Sequence, residues 1–131
     1  MRLAADDAVP AGSPPVSSRA APVSYPTRCY RALAPTHLAA AAAAHGGAAP
    51  ALSGPFRYCE PGCGTGLTLA VLAAANPRAR FTGIDADPGH VAAARELQAA
   101  CGLANLDFVQ ADFDTAAAAA CTEPCDFIAL H

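Results

Sequence analysis

Residues 56–85 read F-R-Y-C-E-P-G-C-G-T-G-L-T-L-A-V-L-A-A-A-N-P-R-A-R-F-T-G-I-D, and the order of residue types along them decides the fold. Phe56 to Glu60 is a short β-prone segment that feeds a glycine-rich turn. Leu67 to Ala75 follows, with Leu67, Val71 and Ala74 at helical spacing. Arg80 to Ile84 is a second β-prone run, closed by the acid Asp85. Strand, glycine turn, helix, strand and terminal acid are the parts of a first βαβ unit in a nucleotide-binding sheet.

Three details bear on which ligand such a unit takes. Gly62, Gly64 and Gly66 give G-x-G-x-G, whereas the dinucleotide fingerprint needs its third glycine one place later, where Leu67 stands. Glu60 sits directly ahead of the glycines, where it would repel a pyrophosphate and attract a cation. Asp85 follows Gly66 at close to the roughly 20-residue offset of an acid that accepts from ribose hydroxyls. The ligand called for has a ribose, an ammonium or other cation, and no phosphate. S-adenosylmethionine meets all three conditions.

E-P-G-C-G-T-G (Glu60 to Gly66) resembles the first motif of class I S-adenosylmethionine-dependent methyltransferases, and Asp85 matches their second. The resemblance runs on through Q-A-D-F (Gln110 to Phe113) and D-F-I-A-L-H (Asp126 to His131), so it covers the chain from about Tyr25 to the end. It implies an α/β, Rossmann-like, doubly wound parallel sheet. Four strands in the order 3-2-1-4, with right-handed crossovers, would be present out of seven in the family. On that reading the chain is an amino-terminal part, and the fourth strand leaves an unpaired edge. The implied cofactor-binding set is Glu60, Gly62, Cys63, Gly64, Gly66, Asp85, Ala86, Asp112 and Phe113. Within it the glycine backbone lies against the methionine part of the cofactor, Glu60 favours the ammonium, and Asp85 accepts the ribose hydroxyls. Asp112 receives the adenine amino group, with the next backbone N–H meeting the ring. The alternative for this stretch is a loop acid that caps the next helix, a role for which Asp114 is the better placed.

The organisation of the chain is read as follows. Residues 1–24 are rich in Pro, Ala and Ser without periodicity and read as a disordered leader. Residues 25–55 form a helical segment and a loop, with Thr36 capping a helix from His37 to His45 that Gly46 and Gly47 end. Tyr25 and Tyr30 lie where the family places a helix near the cofactor mouth and could touch the ligand, although packing against the sheet is the favoured account of them. Residues 56–131 are the cofactor-binding domain. Asp87-Pro88-Gly89 is expected to turn into a helix from His90 to Ala100, with Val91, Ala94, Leu97 and Ala100 or Cys101 on one face and Gly102 as its stop. His90 reads as a helix-start residue and Arg95 as solvated. Leu106 to Val109 is the third strand. Thr115 to Cys121 is a short alanine helix, and Asp126 to Leu130 is a fourth strand buried on both faces.

Composition limits the alternatives. The chain has 131 residues, room for one domain at most. Eight arginines, no lysine and eleven acids give a net charge of −3, which argues against a nucleic-acid or anionic-membrane surface. The uncharged run from Ala32 to Phe56 is alanine broken by prolines and glycines, not a membrane span. No secretion signal is visible at Asp6 and Asp7, so the cytoplasm is expected. The six cysteines, including Cys59-x3-Cys63 and Cys121-x3-Cys125, lack zinc-knuckle spacing, and no metal is expected.

The resemblance implies methyl transfer to an acceptor that the sequence does not name. A displacement at a sulfonium-bound carbon needs alignment more than a strong base. His131 is the candidate to line the acceptor pocket or accept a proton, against an ordinary structural role. Downstream segments or a regulatory domain of a longer chain are the expected partners, because Y-P-T-R-C-Y-R-A-L-A-P-T-H-L (Tyr25 to Leu38) resembles bacterial methyltransferases that carry one. Two other readings stand beside this one. The first is an NAD-dependent oxidoreductase, disfavoured by Leu67 and Glu60. The second is a cofactor-binding or scaffold part without catalysis.

Overall fold

The computed structural model describes residues 27–115 and 123–130. The expectations for the leader, Tyr25, most of the alanine helix before Cys121, and His131 lie outside these residues. Four strands, β1 (Arg57–Pro61), β2 (Arg80–Asp85), β3 (Leu106–Gln110) and β4 (Phe127–Ile128), form one parallel sheet in the order β3-β2-β1-β4. Helix α1 (Pro35–Ala44) precedes the sheet, α2 (Leu67–Ala75) connects β1 to β2, and α3 (Pro88–Cys101) connects β2 to β3. The expected α/β class and strand order are therefore present.

Side chains alternate across the sheet, and the two faces are covered differently. Tyr58, Phe81, Leu106, Phe108, Phe127 and Ala129 belong to the main core, with Leu69, Leu72, Ala73, Val91 and Ala94 of α2 and α3. Tyr58 packs between Phe81 and Phe127, with ring centroids 5.3 and 6.2 Å away. Leu33, Ala34, Leu38 and Ala39 pack against the same core. The opposite face carries a smaller cluster, Cys59 and Ile84 with Ala111 and Cys125.

Local chemistry fixes the ends of the helices. Helix α1 begins at Pro35 after Ala34, with no side-chain cap, so Thr36 lies inside it and does not cap it. Proline suits the first helical position because its φ is preset and its missing N–H would have no partner there. At the other end Gly46, at φ +75°, lets the N–H of Gly46 reach Ala43 O and that of Gly47 reach Ala42 O. Helix α3 starts two residues earlier than expected, because Asp87 is its cap and Pro88 and Gly89 form its first turn. Gly102 ends it in the left-handed conformation.

Burial in α2 chooses a face that the sequence left open, and in the fourth strand it corrects an expectation. In α2 the buried residues are Thr68, Leu69, Ala70, Leu72 and Ala73, whereas Val71 is 47% exposed. Apart from Thr68 that helix is apolar all round, so an apolar stripe can be drawn on either side; contact with the sheet through Leu69 selects the face. In β4 Phe127 and Ala129 are buried, but Ile128 and Leu130 are each 60% exposed, so the strand is covered on one face among the described residues. It is also short, pairing with β1 only at Phe127 and Ile128.

Long-range polar ties complete the frame. Asn105 Nδ2 lies 3.1 Å from the carbonyls of Ala73, Asn76 and Ala79, joining the end of α2 to the start of β2 and β3. Tyr58 donates its hydroxyl to Leu33 O at 2.8 Å, and Tyr30 N–H donates to Thr68 Oγ1 at 3.0 Å. The two tyrosine bonds hold the segment ahead of α1 against β1 and the first turn of α2. Arg95, expected in solvent, donates to Phe108 O at 2.8 Å.

Candidate functional site

The glycine turn lies at the carboxyl ends of β1 and β2, the end where open parallel sheets bind ligands. Gly62 and Cys63 both donate N–H to Ile84 O, at 2.7 and 3.0 Å, and Gly66 donates to Cys63 O at 3.1 Å. Gly64 donates to Asp85 Oδ2 at 2.8 Å. The N–H groups of all four residues are therefore engaged inside the chain. A pyrophosphate bound in this turn would find few of the donors that a dinucleotide loop offers.

The glycines differ in what surrounds them. All three have positive φ, but a Cβ at Gly66 would collide with the ring of Phe108 and come within 3.1 Å of Ala94 Cβ. The absent side chain at Gly66 thus lets α2 close onto β3 and α3. Among the described residues a Cβ at Gly64 would meet nothing within 4 Å, and one at Gly62 would meet only Phe113 Cζ at 3.8 Å. Open space therefore lies above the middle of the turn, with the Phe113 ring beside it. Phe113 is 70% exposed.

Glu60 is 1% exposed at the end of β1, and burial raises its carboxyl from 4.5 to about 7. A cation nearby would reverse that shift, since it favours the charged form. Cys63 is buried as well; burial first, then the charges of Asp85 and Glu60, push its thiol up to about 12. It stays a thiol at neutral pH and is no nucleophile. Tyr58 is pushed well above its usual range by burial and by Glu60 and Cys59.

Asp85 closes β2 and turns towards the glycines. Oδ2 accepts from Gly64, while Oδ1 accepts from Asp87 N–H at 2.9 Å and lies 3.3 Å from His90 Nδ1. Ala86 is exposed beside it. Asp112 is exposed after β3, and its Oδ1 accepts from Thr115 N–H at 2.9 Å and Thr115 Oγ1 at 2.6 Å. Those bonds, the hydroxyl's first, hold the carboxyl below the usual range. The cap of the next turn is therefore Asp112 and not Asp114. Both are acids at a strand end, and the sequence does not reveal which one finds the Thr115 hydroxyl.

The sheet thus brings Glu60, Cys63, Gly64 and Asp85 together, with Phe113 beside Gly62. It adds His90, which the sequence marks only as a helix start. Among the described residues no group of three His, Cys, Asp or Glu side chains could hold a metal ion. No helix among them is long and apolar enough to cross a membrane.

Residues 53–131 match the family described as "Methyltransferase domain". The chain belongs to this family. An uncharacterized protein of Synechocystis is 35% identical to this chain over 92 residues, 70% of this chain and 18% of that protein. Among solved structures, PKMT2 from Rickettsia typhi, in complex with AdoHcy, superposes with a TM-score of 0.70 at 20% identity. That match covers 82% of this chain and 20% of PKMT2. A SAM-dependent methyltransferase from Thiobacillus denitrificans, in complex with S-adenosyl-L-homocysteine, gives a TM-score of 0.50 at 27% identity over 59% of this chain and 30% of its own. The chain thus spans about a fifth of the length of the Synechocystis and Rickettsia proteins.

Proposed function

We propose that this chain is the S-adenosylmethionine-binding part of a methyltransferase. One observation carries the reading: a buried Glu60 carboxyl, held near 7, lies at the base of a glycine turn whose central N–H is fixed by Asp85. The electrostatics ask for a cation at Glu60, the free volume over Gly64 admits a ligand chain, and Asp85 supplies a carboxylate edge for hydroxyls. An α-amino acid joined to a ribose fits all three. The family match and the Thiobacillus structure with its S-adenosyl-L-homocysteine support the same ligand.

When bound, S-adenosylmethionine supplies a methyl group already activated on a sulfonium. The residues of this chain bind and orient. Glu60 ionises against the ammonium, Asp85 accepts from the ribose, and the Gly62–Gly64 backbone leaves room for the amino-acid part. Phe113 lies beside that space and can cover it from water. The order of work is alignment rather than proton transfer. Asp112, whose Oδ1 holds Thr115, remains the candidate acceptor for the adenine amine. His131 remains the candidate beside the methyl acceptor, and a reducing, cytoplasmic setting with downstream segments as partners goes with this reading.

Calorimetric titration of the chain with S-adenosylhomocysteine tests it. The expected result is saturable binding that weakens at least about tenfold in Asp85→Asn, which loses the charge of a charge-assisted acceptor. Equal affinity in that variant would remove Asp85 from the site.

A further inference from the structure

The first turn of α3 is closed through an acid that lies outside it. In a capping box the side chain at the third helical position reaches back to the N–H of the cap residue. Here the cap is Asp87, and Pro88, Gly89 and His90 fill the first three positions. The Asp87 carboxylate accepts from Gly89 N–H at 2.7 Å and His90 N–H at 3.1 Å. Its own N–H, however, donates to Asp85 Oδ1 at 2.9 Å, and His90 Nδ1 lies 3.3 Å from that same oxygen. An ionised carboxylate only accepts, so the contact places the imidazole proton on Nδ1.

The geometry follows from the sequence D-A-D-P-G-H. Pro88 presets the first helical φ, and side chains on a helix lean towards its amino terminus. The ring at the third position is thereby carried back over the end of β2. The other oxygen of Asp85 accepts from Gly64. One carboxylate thus joins the glycine turn, the end of β2 and the start of α3, with His90 on the side away from the turn. The Asp85 side chain is 13% exposed and that of His90 25%. Only a narrow edge of the carboxylate is left for a ligand to meet, so its rotation matters.

We propose that His90 is a positioning residue for the cofactor ribose, its Nδ1–H fixing the Asp85 carboxylate in the orientation that receives the hydroxyls. The inference rests on the S-adenosylmethionine reading above. A carboxylate already held in its bound rotamer binds without the ordering cost that a free side chain carries. A residue that merely starts a helix would affect every ligand alike, whereas a positioning role shows only through the ribose hydroxyls.

The test titrates the native chain, His90→Leu, His90→Asn and His90→Gln with S-adenosylhomocysteine and with its analogue lacking both ribose hydroxyls. Asparagine offers an amide donor near the place of Nδ1, and glutamine sets its donor farther out. The expected result is that His90→Leu and His90→Gln bind S-adenosylhomocysteine about tenfold more weakly than the native chain, with His90→Asn close to native. All four bind the dideoxy analogue equally. Native affinity for both ligands in His90→Leu, or an equal loss for both, overturns the inference. Should His90→Leu fail to melt cooperatively, the Asn and Gln variants decide it, and equal affinities in those two overturn it. No binding by the native chain would overturn the cofactor reading itself and the inference with it, so the native titration separates the two failures.

Discussion

Glu60 is carried by the pleat of β1 to a place where it is 1% exposed, and the loss of water there raises its carboxyl from 4.5 to about 7. A raised folded value means that the folded state holds the proton more tightly than the unfolded chain does. Stability from this group is therefore fully present below about 4.5 and is lost as pH rises through about 7. The difference across that window is on the order of 3 kcal/mol, from about 1.4 kcal/mol per pH unit. Denaturant melts of the native chain against Glu60→Gln should show this as a gap: the native chain loses stability relative to the variant between those limits and no further above them. A gap that stays flat with pH would mean Glu60 ionises normally. Binding of an ammonium reverses the shift, so the affinity for S-adenosylhomocysteine should rise over the same window in the native chain and not in the variant. Both roles of this acid were foreseeable in part. Its place ahead of the glycines is plain in the sequence, but its burial is set by tertiary packing that a single segment does not reveal. At Asp85 the sequence likewise shows an acid at the right offset from the glycines, and not its bonds to Gly64 and His90, which join three separate segments.

The element that organises the site is the glycine turn with the helix it starts. Its three glycines look alike in sequence and differ in what lies beside them. Gly66→Ala would force a left-handed φ on alanine and drive its Cβ into Phe108, so it should destabilise the chain by at least about 3 kcal/mol. Gly64→Ala carries only the conformational cost, roughly 1–2 kcal/mol, yet places a methyl group in the open space over the turn. Thermal melts should therefore show the larger loss at Gly66. Titration with S-adenosylhomocysteine should show the larger loss of affinity per unit of stability at Gly64. The reverse order would mean that the ligand lies elsewhere. Helix bounds were legible where a residue has one conformational use, as with Gly46, Gly102 and the start at Leu67. They were less so at Thr36 and at Asp87-Pro88-Gly89, where a proline able to begin a helix was read as loop. The buried face of α2 was not legible, because its one polar residue, Thr68, is buried and the rest is Leu, Ala and Val, with no polar side to mark the outside.

At the scale of the molecule, the order β3-β2-β1-β4 among the described residues is the one that the right-handed rule for crossovers leads to, and the spacing of the motifs was enough to expect it. The attachment of the segment ahead of the sheet was not, since it rests on bonds between residues far apart in sequence. Tyr58 donates to Leu33 O, and Thr68 holds Tyr30. Tyr58→Phe keeps the ring in its aromatic cluster and leaves that carbonyl without its donor, so it should lower stability by about 1–2 kcal/mol. Hydrogen exchange should speed up over Arg31–Ala44 while β2 and β3 keep their protection. Uniform loss of protection would mean that this segment and the sheet open together.

On the reading proposed above, the turn and its two acids form a site for S-adenosylmethionine and not for a dinucleotide. Thermal melts of the chain with S-adenosylhomocysteine and, separately, with NAD test it most directly. A ligand that binds only the folded state adds RT ln(1 + [L]/Kd) to stability and raises the midpoint accordingly. A rise with S-adenosylhomocysteine and none with NAD is the predicted result. A rise with NAD alone, or an unchanged midpoint with S-adenosylhomocysteine at millimolar concentration, would contradict it.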